Sequence, residues 1–228
     1  MQPQGPTYEQ DPAAADWVLP RLTGRWGTVT GTVPTGYPSY VRLLHPAGPG
    51  TWSDVAIELG TLVHPTVQWH RLSGATDPLD ANSSRRPELA PLRGHLVAET
   101  LRPLTRLLAE HTSTPQDCWF CTWTGYSWSS PTGRYVVHPG REYVIGRGPV
   151  TAALGNGEHP TPDWFQPQSP NLWWPEDRAW VVGTEIDFDS TLIACNNDLA
   201  AVLLAAPDLE TLRVHVDDSL QCDADLLN

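Results

Sequence analysis

The sequence predicts a single α+β domain with a mostly antiparallel sheet and a few short helices. Three observations predict it. Strand-like runs lie towards both ends of the chain, at 40–45 and at 178–188, with little helical periodicity between them. One stretch, 97–110, has a clear helical period, with Leu101, Leu104, Leu107 and Leu108 sharing a face. A length of 228 residues with 40% hydrophobic content suits one large domain with an ordinary core.

Residues 1–16, rich in Pro, Gln and Ala, predict a flexible tail, which leaves 17–228 as the domain. The stretch 17–33 has room for one short strand. The strand at 40–45 ends at His45-Pro46, because proline removes a ladder donor and holds its predecessor extended. Residues 51–59 predict a short helix, with Thr51 or Ser53 near its cap and Gly60 at its end. Residues 73–94 are polar and aperiodic, and predict a loop. Pro103 must sit in the first turns of the 97–110 helix or kink it, and His111-Thr-Ser-Thr-Pro115 stops that helix. A strand over 118–124 places Trp119, Cys121 and Trp123 on one side and Cys118, Phe120 and Thr122 on the other. Runs at 135–137 and 142–145 flank His138-Pro-Gly-Arg141 as a hairpin. Residues 155–171 predict a second long loop. Strands at 178–188 and 191–194 follow, then a helix over 198–206 with Asn196 or Asn197 as its cap.

Composition narrows the function. All fourteen cationic side chains are Arg, the pattern of codon bias in a high-GC genome; without lysine, Schiff-base and Walker A chemistry are excluded. A net charge of −12, with no segregated Arg run, disfavours nucleic acid and favours a neutral or cationic small molecule or protein partner. No basic-then-apolar leader and no membrane-length apolar run is present, so the sequence reads as soluble and cytoplasmic, with its four cysteines reduced. Neither a serine elbow nor a nucleotide loop is present, and no cofactor is indicated.

The chain holds eleven tryptophans against three phenylalanines, and seven of the eleven fall between Trp119 and Trp180. Indoles of this density build either a core or a stacking surface for flat or cationic ligands. Trp119, Trp123 and Tyr126 are candidates to line a groove. Adjacent Trp173 and Trp174 cannot both face one core, so one is expected at a surface, and Arg178 is an electrostatic partner. On a continuous strand, Glu185, Asp187 and Asp189 share a face and form a carboxylate ladder, a candidate site for a hard metal or for acid/base work. The alternative is a solvated face neutralised by Arg178 or Arg141. Cys118 and Cys121 have redox or zinc spacing, but a strand puts their thiols on opposite faces and favours inert, buried cysteines. His45, His64, His138 and His159 each precede proline and mark strand ends, while His111 reads as a helix cap.

Motifs in the second half carry a resemblance. His111-Thr-x-Thr-Pro115, Cys118-Trp-Phe-x-x-Trp-x-Gly-Tyr126, Pro170-Asn-Leu-Trp-Trp-Pro-x-Asp-Arg-Ala-Trp180, Thr184-Glu-Ile-Asp187 and Ser190-Thr191 resemble an actinobacterial family of hypothetical proteins. Residues 40–46 look similar too. The resemblance covers about half the chain and implies a shared fold, not an activity. Cys195 departs from it, standing where members of that family tend to carry Gly.

The sequence therefore favours a binding or protein-interaction module using a Trp-rich face. The alternative is a metal-dependent hydrolase or transferase using Glu185, Asp187 and Asp189, and a weaker rival is thiol redox at Cys118 and Cys121.

Overall fold

The computed structural model describes residues 4–9, 11–126, 135–138, 140–161 and 163–228. Its main sheet has nine strands, all paired antiparallel. In chain order these are β1 (Thr7–Tyr8), β2 (Ser39–Leu44), β3 (Cys118–Trp123), β4 (Val136–His138), β5 (Arg141–Gly148), β8 (Leu172–Pro175), β9 (Val181–Gly183), β10 (Ser190–Cys195) and β11 (Thr211–Val214). Strands β6 (Gly157–Thr161) and β7 (Trp164–Pro167) form a separate hairpin. Across the main sheet the order is β1-β5-β3-β8-β9-β10-β2-β11, with β4 also pairing with β5. This is the predicted α+β domain with its mostly antiparallel sheet.

Both faces of the sheet are covered. On one, Phe120, Trp173, Trp180, Val182 and Ile193 pack with Leu101, Leu104 and Leu108 of one helix and with Leu199 and Leu203 of another. These helices span Ala98–Glu110 and Asn197–Ala205. On the other face, Cys121, Ile145, Trp174, Val181 and Leu192 pack beneath Ala15, Val18, Val29 and Val33 of the N-terminal region. A smaller core joins Leu44 to Trp52, Val55 and Trp69. Two covered faces explain why adjacent residues on β8 are both buried: Trp173 and Trp174 are each 1% exposed. The expectation that one of them reaches a surface is corrected, because a strand inside a three-layer sandwich has a core on either side.

Local signals set most boundaries. Thr51 and Asp54 close a capping box, the Thr51 hydroxyl accepting from Asp54 N–H at 3.1 Å and the Asp54 carboxylate from Thr51 N–H at 2.9 Å. Gly60, at φ 71°, ends that helix in the left-handed conformation. Asn196 caps the last helix by accepting from Leu199 N–H. His111 Nδ1 meets the Leu107 carbonyl at 2.8 Å, the capping role expected of it. Pro103 lies in the second turn of its helix, where its missing N–H breaks one bond without ending the element.

Four expectations change. The stretch read as a tail is partly tied down: Thr7 and Tyr8 pair with Arg147 and Gly146, and Ala15 is fully buried. Residues 17–33 form turns and a four-residue helix (Val29–Thr32) instead of a strand, since they roof the sheet and do not join it. The 155–171 loop contains the β6–β7 hairpin. The 178–188 strand shrinks to Val181–Gly183, with consequences for the carboxylates.

Candidate functional site

The Trp119 side chain is set by register. Across the sheet its direct neighbours are Trp174 on β8 and Arg147 on β5, and opposed residues share a face. Trp119 is half-buried, and its Nε1–H donates to Glu176 Oε2 at 2.6 Å. The Arg147 guanidinium lies 4.9 Å from the Trp119 ring centre and is held there by a bidentate pair with Asp117. Trp17, which follows the turn at 12–15, meets Trp174 edge-on at 5.8 Å. Arg178 sits 4.7 Å over the Trp17 ring. The Trp17 Nε1–H is buried and has no acceptor among the described residues.

These groups enclose an open cleft of about 300 Å³ lined by Ala13, Ala14, Asp16, Trp17, Trp119, Trp174, Glu176 and Arg178. Trp174, nearly inaccessible, is its floor. Asp16, Glu176 and Arg178 are exposed at its rim.

The rim is braced from below. Asp177 accepts from the Thr112 hydroxyl at 2.7 Å, from Ser113 N–H at 2.6 Å, from the Ser113 hydroxyl at 2.7 Å and from Ala179 N–H at 3.1 Å. Partial desolvation pushes the Asp177 carboxyl up, but these bonds outweigh it and hold the group below its ordinary range. Asp177 N–H in turn donates to Thr114. So the Thr-Ser-Thr segment after the long helix clamps the Pro-Glu-Asp-Arg turn. Within that turn Arg178 adopts φ 56°, the one positive φ outside glycine among the described residues, and Tyr37 donates to its carbonyl at 2.7 Å. A left-handed non-glycine residue stores strain and persists only where its surroundings hold it.

Comparison with protein-family models, curated proteins and solved structures finds no match for this chain.

The remaining candidates collect elsewhere. Trp123 and Tyr126 meet edge-to-face at 5.3 Å, four residues along β3 from Trp119 and hence about 13 Å away at strand rise. Their charged neighbour is Arg141, which lies 5.5 Å from the Trp123 ring and 4.3 Å from Trp26. Arg141 Nη2 bonds Glu185 at 2.9 Å and Asp187 at 3.0 Å. A cavity of only about 20 Å³ adjoins them, lined by Glu185, Tyr143, Asn171, Thr184 and His138 among others, enough for roughly one water. Burial pushes the Glu185 carboxyl up, against the pull of Arg141. Trp128 lies outside the described residues.

The carboxylate ladder is not formed. β9 stops at Gly183, and the Phe188 N–H closes a turn onto the Glu185 carbonyl at 3.0 Å. The turn breaks the alternation that would align the three acids. Glu185 and Asp187 meet at Arg141, whereas Asp189 turns away to buried Arg42 at 3.6 Å. Among the described residues no group of three His, Cys, Asp or Glu is placed to hold a metal ion. Three residues expected to share one site therefore neutralise two different arginines.

The cysteines sit as expected, Cys118 and Cys121 in the cores on opposite faces of β3. Burial, with Asp117 and Asp177 adding, pushes the Cys118 thiol up to about 12, and burial pushes Cys121 up further. Raised thiols so placed are poor nucleophiles. Among the described residues no helix is long and apolar enough to cross a membrane.

Sequence reasoning missed Asp16, Trp17 and Glu176 at the cleft. Glu176 lies inside the most unusual motif, but at its one unspecified position, beside Asp177. Asp16 and Trp17 sit at a presumed tail boundary, and only the tertiary fold brings them across the sheet to Trp119.

Proposed function

We propose that this chain is an acidic binding or interaction protein of the cytoplasm whose working surface is the cleft of Trp17, Trp119 and Trp174. One observation carries this reading: a half-buried indole stands beside two others in a concave site with charged groups of both signs at its rim. Sites for small molecules combine such an apolar lining with a few fixed polar groups. The Trp-rich face expected from sequence is thereby narrowed from six residues to Trp119, Trp174 and Arg178, joined by Trp17, Asp16 and Glu176. Membership of the actinobacterial family would give this arrangement a wider meaning. Two of the motifs that carry the resemblance, 111–115 and 170–180, clamp each other through Asp177 beneath the cleft.

The metal-dependent alternative gains nothing specific, since its carboxylates are divided between Arg141 and Arg42. The test is a fluorescence titration of the wild type and of Trp119→Phe with a quaternary ammonium salt, a sugar, a nucleobase and a basic peptide. A saturable change in the wild type that shrinks or weakens in the variant supports the reading. Flat titrations, or equal responses from both proteins, remove the cleft as the working site.

A further inference from the structure

The charge pattern of the cleft singles out one ligand class, an inference that rests on the cleft being the working site. We propose that it binds a small zwitterion, with a quaternary ammonium against the half-buried Trp119 ring and an anionic group a few bonds away on Arg178. Three features converge on this class.

The first is the supply of hydrogen-bond donors. A sugar or a base needs several donors and acceptors in fixed places. Here the Trp119 N–H is spent on Glu176, the Trp17 N–H is buried and Trp174 is nearly inaccessible, so Arg178 is the exposed side-chain donor among the lining residues. A quaternary ammonium needs no donor. It needs π faces and nearby negative charge, which the indoles, Asp16 and Glu176 provide. Trp17 and Trp119 already hold cations over their rings, Arg178 at 4.7 Å and Arg147 at 4.9 Å.

The second is sign. Two carboxylates and one guanidinium border the same small space, so a ligand of a single charge leaves an opposed charge facing it. A ligand carrying both signs satisfies both ends. Its net neutrality also avoids the repulsion that a protein of net charge −12 exerts on free anions.

The third is preorganisation and size. The Arg178 backbone is held at φ 56° by the Tyr37 bond and by the Asp177 clamp, and its guanidinium rests 4.7 Å over the Trp17 ring, so the residue stands at the rim before any ligand arrives. A volume of about 300 Å³ lies at the small end for ligand sites and suits a molecule of few heavy atoms better than a peptide.

The experiment is titration calorimetry on the full chain with six probes: trimethylglycine, phosphocholine, tetramethylammonium, acetate, glucose and an oligoarginine peptide. Trimethylglycine and phosphocholine distinguish a carboxylate from a phosphate as the anionic end. One or both should bind more tightly than tetramethylammonium, and acetate should not bind. Trp119→Ala should weaken the zwitterion by about tenfold. Arg178→Gln, an exposed position that keeps the proposal testable if Trp119→Ala folds poorly, should weaken the zwitterion about tenfold and tetramethylammonium less than about twofold. Trp164→Ala, on the separate hairpin, should change nothing. The proposal is overturned if neither zwitterion binds more tightly than tetramethylammonium, or if Arg178→Gln affects both kinds of probe equally. If glucose or the peptide binds in a Trp119-dependent way while the zwitterions do not, the ligand class is wrong but the cleft stands. If no probe depends on Trp119, both fall.

Discussion

At the scale of single residues, burial sorts the tryptophans into those that hold the fold and those able to meet a ligand. Trp173 is packed between Phe120, at 5.7 Å, and Trp180, at 5.2 Å, with no route to solvent. Trp173→Ala should therefore cost about 3–5 kcal/mol in urea denaturation, as truncation of a buried aromatic does. Trp119→Ala should cost clearly less, because part of that ring already faces water. A similar cost for both would make Trp119 a core residue. The cysteines make a second residue-scale prediction. Cys118, Cys121 and Cys195 are buried with raised thiols and Cys222 is exposed, so native alkylation should label Cys222 alone, and unfolding should release the rest. Rapid labelling of Cys118 below neutral pH would revive thiol chemistry. The facing of Trp119, Cys118 and Cys121 rests on alternation along β3, and this was legible in the sequence: the period of two assigned Trp119, Cys121 and Trp123 to one face and Cys118 and Phe120 to the other. The fate of Trp173 and Trp174 was not legible, because a strand's pattern does not say whether one face or both are covered.

At the scale of elements, the turn from Pro175 to Ala179 is the piece on which the site depends. Its Asp177 carries four hydrogen bonds, three from Thr112 and Ser113 and one from Ala179 within the turn. Asp177→Ala should cost about 1–2 kcal/mol, since backbone donors of Ser113 and Ala179 lose their acceptor. It should also speed amide exchange at Ala179 and weaken any ligand that needs Arg178. Unchanged exchange would show that the clamp does not hold the turn. Elements with a strong local signal were read close to their true limits: the capping residues Thr51 and Asn196, the leucine face before His111, the hairpin around Gly140. The 178–188 run failed because its alternation is genuine in composition but interrupted in space. A turn at Ile186 and Asp187, tied to Asn171 through Thr184, sends Asp189 the other way. A single sequence holds no signal for that long-range bond, so the carboxylate ladder was a reasonable expectation and a wrong one. The β6–β7 hairpin was missed for a related reason, as its Pro- and Gly-rich strands lack an apolar alternation.

At the scale of the whole molecule, stability should fall on the acid side through two buried groups. His45 is fully buried, its Nδ1–H donating to the Leu92 carbonyl at 2.6 Å and its Nε2 accepting from the Thr191 hydroxyl at 2.9 Å. Desolvation holds its pKa at about 4, below the ordinary 6.5. Both states are neutral above 6.5, so the folded state keeps its full stability there. As pH falls from 6.5 towards 4 the unfolded chain binds a proton that the folded chain refuses, a loss of about 3 kcal/mol. Asp225, partly desolvated but bonded to Asn228, the Gln68 and Leu227 N–H groups and His64, is lowered to about 2 from 3.8. Its contribution, about 2 kcal/mol, is present above 3.8 and disappears as pH falls towards 2. Urea midpoints measured from pH 8 to pH 3 should hold steady to about 6.5 and then decline in these two stages; a flat profile from 6.5 to 4 would contradict the assignment of His45. The same molecule-wide division, a set of buried tryptophans that hold the fold and a small accessible cleft, is tested most directly by indole N–H resonances in a heteronuclear spectrum. Trimethylglycine and then a basic peptide are titrated in, with signals assigned by single Trp→Phe changes. If the cleft is the working site, Trp119 and Trp17 should move and saturate together while Trp52, Trp173 and Trp180 stay fixed. Stationary Trp17 and Trp119 signals with both probes, or shifts spread evenly into the core, would contradict it.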